Sequence, residues 1–415
     1  MKFVRKIRNG LAVVGYMAAI PFILAIPRSR RKVVLGAWYG DMFSDNPKYL
    51  GLYLSKSHLA DCVWIGKPHL RAVVMAAGLK FAERGSLLAL WHSLTAKWFA
   101  FCIAPELDIG TIPNCGRARL LNLWHGISYK RIGRNQGGHV LEPVETSVSF
   151  LHQLYRSLSR VVYGYVFPCR MMTSVSCEKM AEIMEDSWPS WFKKEDILYA
   201  GMPRNDIMVR SRSDVSISKE KKRVLAEKFG WPKGKKWFLY MPTWRGASRS
   251  FSFLQIEARQ TLQDVLRSQN AVLIEKQHHF VLKDLVGGST AQPDNIIIMS
   301  KEQSDNIDVQ ELLLAADRLI TDYSSCFFDY ELTGRPVIHF AYDREKYENS
   351  LAGVNYKLDD ISAGPIAKSE KELLQCLLWD DAKLLGMRGK NADEPLMLEK
   401  GTACKFIAKY MGLDV

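Results

Sequence analysis

The residues able to do chemistry in this sequence cluster just after short apolar runs. His125 and Gly126 close "LLNLWHG", and Arg204, Asn205 and Asp206 close "LYAGMPRND". Thr243, Trp244 and Arg245 close "FLYMPTWR"; Lys276, His278 and His279 close "VLIEKQHH"; Asp322, Ser324 and Ser325 close "RLITDYSS". Each has a plain explanation when taken alone. An isolated histidine is often a core residue bonded to a carbonyl, serines before a helix are N-caps, and Pro-Arg-Asn-Asp has turn composition. Arg245 suits a surface ion pair, and His278 beside His279 suits a loop tip. Together the five groups describe a site for a diphosphate. A helix start offers free N–H groups to an anion, Ser324 and Ser325 add hydroxyls, and Arg204, Arg245 and Lys276 supply positive charge. His125 would be the general base, since imidazole titrates near neutrality.

These groups need a scaffold that brings strand ends together. "RKVVLGAWYG" (31–40), "DCVWIG" (61–66), "RLLNLWHG" (119–126) and "DILYAGMP" (196–203) read as buried strands. Helical stretches separate them, such as "LLALWHSLTAKWFAFCI" (87–103). After a polar, charged connection (211–236), strand signals resume at 236–243, 271–277, 295–300, 318–323 and 336–342. Strands alternating with helices predict parallel sheets covered on both faces. The expected architecture is α/β, with two doubly wound domains facing across a cleft. Ligands of such sheets lie beyond the carboxyl ends of the strands.

The 415-residue chain exceeds what one core usually holds. Its eight cysteines include no C-x-x-C pair and read as scattered buried thiols of a reducing compartment. There is no G-x-G-x-x-G, no P-loop and no H-E-x-x-H. No cofactor and no metal site is therefore expected, with magnesium left open. The net charge is +13, but residues 1–32 hold eight Lys and Arg and no acid, leaving +5 for all the rest. That distribution argues against nucleic acid as a partner. Between the two basic clusters, "LAVVGYMAAIPFILAI" (11–26) is short for a bilayer span, which takes about 20 residues. Basic flanks on both sides predict a segment lying on anionic lipid at the cytoplasmic face of the membrane, as a peripheral or monotopic anchor.

The motifs, in their order, resemble the CDP-glycerol glycerophosphotransferase family of teichoic-acid primases, polymerases and related capsule enzymes. The blocks that carry the resemblance are "VVLGAWYGDMFSDNPKYL" (33–50), "LWHGISYKRIG" (123–133), "GMPRND" (201–206), "YMPTWR" (240–245), "EKQHH" (275–279), "LLLAADRLITDYSSCFFDYELTGRPVIHFAYDREKYE" (312–348) and "GPIAKSEKEL" (364–373). The resemblance implies a GT-B fold of two Rossmann-like domains: 33–210 for the acceptor and 211–390 for a CDP-alditol donor. Residues 1–32 would precede them as the membrane-associating segment, and a C-terminal helix in 391–415 would return to the first domain. The implied reaction moves an alditol phosphate from CDP-glycerol or CDP-ribitol to a hydroxyl of a lipid-linked saccharide or polymer, releasing CMP. The implied catalytic pair is His125, as base, and His278, against the donor diphosphate. Arg204, Thr243, Arg245, Lys276, Asp322, Ser324 and Ser325 fall on the donor side, and Gly126, Ser128, Lys130, Asp45 and Asn46 on the acceptor side. The sequence departs from the family pattern at Ile127, Ser128 and Tyr129 after W-H-G, at Met202, and at His279 where a proline is usual.

A GT-B glycosyltransferase using a nucleotide sugar is the rival reading, because fold alone does not fix the donor. A membrane-bound scaffold with a degenerate site is a second, disfavoured by the intact histidines and serines. Deleting residues 1–32 should release the chain from anionic vesicles in a flotation assay; undiminished flotation would refute the anchor.

Overall fold

A computed structural model describes residues 21–23, 25–110, 118–136, 171–189, 191–243, 251–253, 256–277, 295–305, 307–350 and 353–413. Arg245, His278, and residues 1–20 and 24 of the expected membrane segment lie outside these residues. The first sheet contains β1 (Ser29–Leu35), β2 (Asp61–Gly66), β3 (Lys80–Glu83), β4 (Ala96–Phe101), β5 (Arg119–Asn122), β6 (Met172–Ser174) and β7 (Ile197–Leu198). Its order is β3-β2-β1-β4-β5-β6-β7. The second contains β8 (Lys236–Tyr240), β9 (Ala271–Glu275), β10 (Ile296–Ile298), β11 (Arg318–Thr321), β12 (Val337–Phe340) and β13 (Ile366–Ala367), in the order β10-β9-β8-β11-β12-β13. Every pairing within the two sheets is parallel.

Parallel strands are covered on both faces and need unbroken apolar runs. Val33–Leu35, Val63–Ile65 and Val272–Ile274 meet that need with no exposed surface. Strand order reverses between β1 and β4 in one sheet and between β8 and β11 in the other. Loops leaving adjacent strands at such a point diverge to opposite faces and open a crevice.

Five helices position the site: α1 (Asp45–Lys56), α2 (Leu87–Thr95), α3 (Val309–Ala315), α4 (Cys326–Glu331) and α5 (Ala403–Tyr410). One sequence expectation fails here. The stretch 87–103 is helical only to Thr95, and Ala96–Phe101 form β4 next to β1. Thr95 turns its hydroxyl back to the carbonyls of Trp91 and His92 at 2.8 and 3.3 Å. Beyond it, Trp98, Phe99 and Phe101 are buried as strand residues. An apolar run with no polar face does not distinguish helix from central strand.

The two sheets are joined by polar contacts as well as by apolar packing. Lys48 of α1 reaches Asp308 at 2.6 Å, and Tyr49 donates to the same carboxylate at 3.1 Å. Asp308 also caps α3 through the amide of Gln310 at 3.0 Å. Burial opposes the charge on Lys48, but Asp308 and Glu311 more than offset it and raise its pKa. Asn355 donates to the carbonyls of Ser128 and Lys130 at 2.8 and 2.7 Å. The chain end returns to the first sheet, where α5 packs on α1. Removing one partner of a buried ion pair strands the other. Lys48→Ala should therefore cost about 3 kcal/mol in urea unfolding; an unchanged midpoint would show that the pair does not hold the halves together.

Candidate functional site

A cleft of about 580 Å³ opens where the two reversal points face each other. Its walls are the segments after β1, β5, β7, β8, β9 and β11, with the start of α3.

His125 lies three residues beyond β5, in a loop held by unusual backbone geometry. Trp124 has φ +55° and Gly126 φ +136°. The side chain of Asn122 accepts the Trp124 amide at 2.9 Å. Asn46, fully buried, donates to the carbonyls of Leu123 and Trp124 at 3.0 Å each. The imidazole lies against Trp124 (4.3 Å between centroids) and Trp38 (5.3 Å). Its Nδ1 is 3.0 Å from the Cys102 carbonyl, at the end of β4. A carbonyl only accepts, so Nδ1 carries the proton and Nε2 keeps its lone pair. Burial lowers the His125 pKa below 6.5, against the opposing pull of that carbonyl and of Asp45. The group is thus a neutral base at pH 7 with a fixed tautomer.

Gly126 allows close approach. A Cβ there would stand 2.9 Å from an Arg204 nitrogen and 3.3 Å from Ser325 Oγ, on top of a backbone angle that other residues resist. Arg204 is buried between two carboxylates: Asp45 at 2.9 Å and Asp329, on α4, at 2.7 Å. It also donates to the His125 carbonyl at 3.0 Å, and its amide donates to Asn46 at 3.0 Å. Asp45 in turn accepts from Trp38 Nε1 at 3.0 Å. Burial pushes Asp329 upward, with Arg204 opposing.

On the other wall, Asp322 follows β11 directly and is fully buried. It accepts from Thr243 at both the amide (2.8 Å) and the hydroxyl (2.6 Å), tying the ends of β8 and β11 together. His339 supports it from below: Nδ1 donates to the Asp322 carbonyl at 3.1 Å and Nε2 accepts from Ala363 at 3.1 Å. Burial pushes the His339 pKa down to about 4, so it stays neutral. Ser325 occupies the N-cap position of α4, yet its side chain makes no cap hydrogen bond. Lys276, half-buried at the end of β9, makes no ion pair among the described residues. Burial lowers its pKa.

Ten of the residues singled out from sequence line the cleft: Asp45, His125, Gly126, Ser128, Lys130, Arg204, Thr243, Lys276, Ser324 and Ser325. Asn46 and Asp322 do not; both are buried and hold the loops that carry the others. Sequence reasoning missed Trp38, Asp329 and Gln310, which line the cleft, and His339 beneath it. Asp329 sits inside the apolar run "CFFDYE" and His339 inside "VIHF", where an acid or imidazole amid buried residues was the available signal. Among the described residues, no group of three or more His, Cys, Asp or Glu is placed to hold a metal ion.

Comparison with known proteins speaks to family and fold. Residues 18–394 match the model of the CDP-Glycerol:Poly(glycerophosphate) glycerophosphotransferase family. A teichoic acid poly(glycerol phosphate) polymerase of Bacillus spizizenii is 26% identical over 91% of this chain and 90% of its own. A teichoic acid glycerol-phosphate transferase of Staphylococcus aureus is 26% identical over 84% of each chain. A longer polymerase of Bacillus subtilis is 25% identical, and the alignment covers 51% of its length. A histidine variant of the wall teichoic acid polymerase TagF superposes with a TM-score of 0.73 at 22% identity, covering 99% of this chain and 97% of the other. That likeness is one of fold, of the GT-B kind.

The tautomer and burial of His125 have a direct readout. Its ring should titrate below pH 6.5 in nitrogen-resolved NMR, with the proton on Nδ1 at neutral pH. A pKa above 6.5, or a proton on Nε2, would contradict the geometry.

Proposed function

The chain belongs to the CDP-glycerol glycerophosphotransferase family, and from that premise we propose how its cleft carries out the transfer. The enzyme is a CDP-alditol phosphotransferase. Its donor is CDP-glycerol or CDP-ribitol, and its acceptor is a hydroxyl of a lipid-linked saccharide or growing polymer. His125 Nε2 takes the proton of that hydroxyl. The freed oxygen attacks the phosphorus bearing the alditol, the bond from that phosphorus to the CMP oxygen breaks, and CMP leaves. Such transfers depend mainly on positioning and charge neutralisation.

The donor diphosphate lies against Ser324, Ser325, Thr243 and Lys276, with Arg245 and His278 joining from the segments after β8 and β9. Lys276 meets a dianion better than Arg204 does, because two carboxylates already neutralise Arg204. Arg204 instead holds the His125 loop against α4. Ser128 and Lys130 face the acceptor from the loop that follows. Residues 33–210 form the acceptor domain and 211–390 the donor domain, with the basic apolar segment 1–32 on anionic lipid at the cytoplasmic face. No helix among the described residues is long and apolar enough to cross a membrane.

The observation that supports this reading most directly is the Cys102 carbonyl on His125 Nδ1, which leaves Nε2 as a base in the cleft. His125 keeps this base form through neutral pH, because protonation occurs only below its lowered pKa. His125→Ala should reduce CMP release by about 100-fold or more, while CDP-glycerol binding by calorimetry stays within about threefold. Mass spectrometry of products from CDP-glycerol and CDP-ribitol identifies the alditol. Normal turnover in the variant, or nucleoside diphosphate released from a sugar donor instead, would overturn the proposal.

A further inference from the structure

The turn that carries Arg204 is not held by its own domain alone. Residues 398–404 come back from beyond the second sheet and grip it at three amides. The Met202 N–H points at both oxygens of the Glu399 carboxyl group, at 3.1 and 3.2 Å. Asp206, at the other end of the turn, accepts from Ala403 and Cys404 at 2.8 and 2.9 Å. Leu398 donates to the Ser176 carbonyl at 2.9 Å. The fit is close: Gly201 has φ +78°, and a Cβ there would stand 2.9 Å from the Leu398 carbonyl and 3.0 Å from Glu399 Oε2.

We propose that Glu399 is a positioning residue for the transfer: by holding the Met202 amide it sets the turn from which Arg204 reaches Asp45, Asp329 and the carbonyl of His125. Glu399 touches neither the cleft nor any residue given a chemical role, so it acts only through Arg204. The inference rests on the proposed part of His125 in the reaction. Its physical basis is the short lever involved. Only Pro203 separates Met202 from Arg204, and a displacement of about 1 Å at a catalytic loop costs on the order of 100-fold in rate.

Glu399 also adds a titration to this cluster. It faces Asp206 and Arg204 on the turn, Asp329 on α4, and the neutral Asn205. Burial raises its pKa to about 8, against the opposing Met202 N–H. Below that pH it is neutral beside one arginine and two carboxylates. Above it, a third negative charge competes for Arg204 and draws it from the His125 carbonyl. The raised value means that the folded protein holds this proton more tightly than the unfolded chain, whose carboxyl titrates near 4.5. Stability therefore declines as pH rises from there to about 8 and is level beyond.

Glu399→Gln and Glu399→Ala separate this role from a merely structural one. The glutamine oxygen still accepts the Met202 N–H and does not ionise. It should keep kcat for CMP release within about threefold of wild type and lose the fall in kcat expected of wild type above about pH 8. The alanine variant should lose on the order of 100-fold in kcat, with KM for CDP-glycerol changed less than threefold or so. Amide exchange read by mass spectrometry should accelerate at 201–206 and at 123–128 in the alanine variant. Wild-type kcat in folded Glu399→Ala, or the alkaline fall retained in Glu399→Gln, overturns the proposal. Should the alanine variant fail to fold, the pH profile of the glutamine variant decides. Exchange unchanged at 201–206 overturns the clamp whatever the substrate. An active His125→Ala enzyme would instead sink the reading of the base and leave the clamp standing.

Discussion

The arrangement depends on one buried guanidinium. Arg204 lies between Asp45 of the first sheet's α1 and Asp329 of the second sheet's α4. An arginine cannot shed its charge to enter a protein interior. It must be met by carboxylates whose geometry is already set, and here those carboxylates come from different halves of the chain. The same side chain donates to the carbonyl of His125. The pairing that joins the halves therefore also sets the height of the imidazole in the cleft.

Around that centre, residues that would look like ligands act as supports. Asn46 spends its amide on the carbonyls of Leu123 and Trp124 and its oxygen on the Arg204 amide. Asp322 spends a carboxylate oxygen on Thr243. His339 bridges the Asp322 carbonyl and the Ala363 amide. Buried polar groups must be paired, and here the pairing fixes the loops that hold His125, Ser324 and Ser325. The supports are the reason that a cleft built of loops can stay rigid enough to orient two substrates.

The electrostatics divide along the same line. The first-sheet wall carries an arginine cancelled by two acids, a neutral histidine, and Lys130 with its ammonium over the Tyr347 ring. The second-sheet wall carries Lys276 without an ion-pair partner among the described residues, beside serine hydroxyls not spent on capping α4. A diphosphate gains most where positive charge is not already neutralised. The two walls thus differ in charge as well as in position.

Much of this was legible in the linear sequence. Unbroken apolar runs ending in polar residues announced parallel strands with a site at their carboxyl ends, because sheets covered on both faces need such runs and tolerate polar groups only beyond them. His125, Ser324, Ser325 and Lys276 were visible as cleft-lining residues for that reason, and the motif order pointed to the family. Pattern misled where it is blind: 96–101 is apolar but for Lys97 and reads equally as helix or central strand. Pattern was silent where partners are far apart. Asp45 lies 159 residues from Arg204, and Glu399 lies 197 residues from Met202. Local composition determined which residues could bind or transfer a phosphate. Which of them face the cleft and which brace it followed from long-range hydrogen bonds, since those depend on how two sheets meet and not on the spacing of residues along the chain.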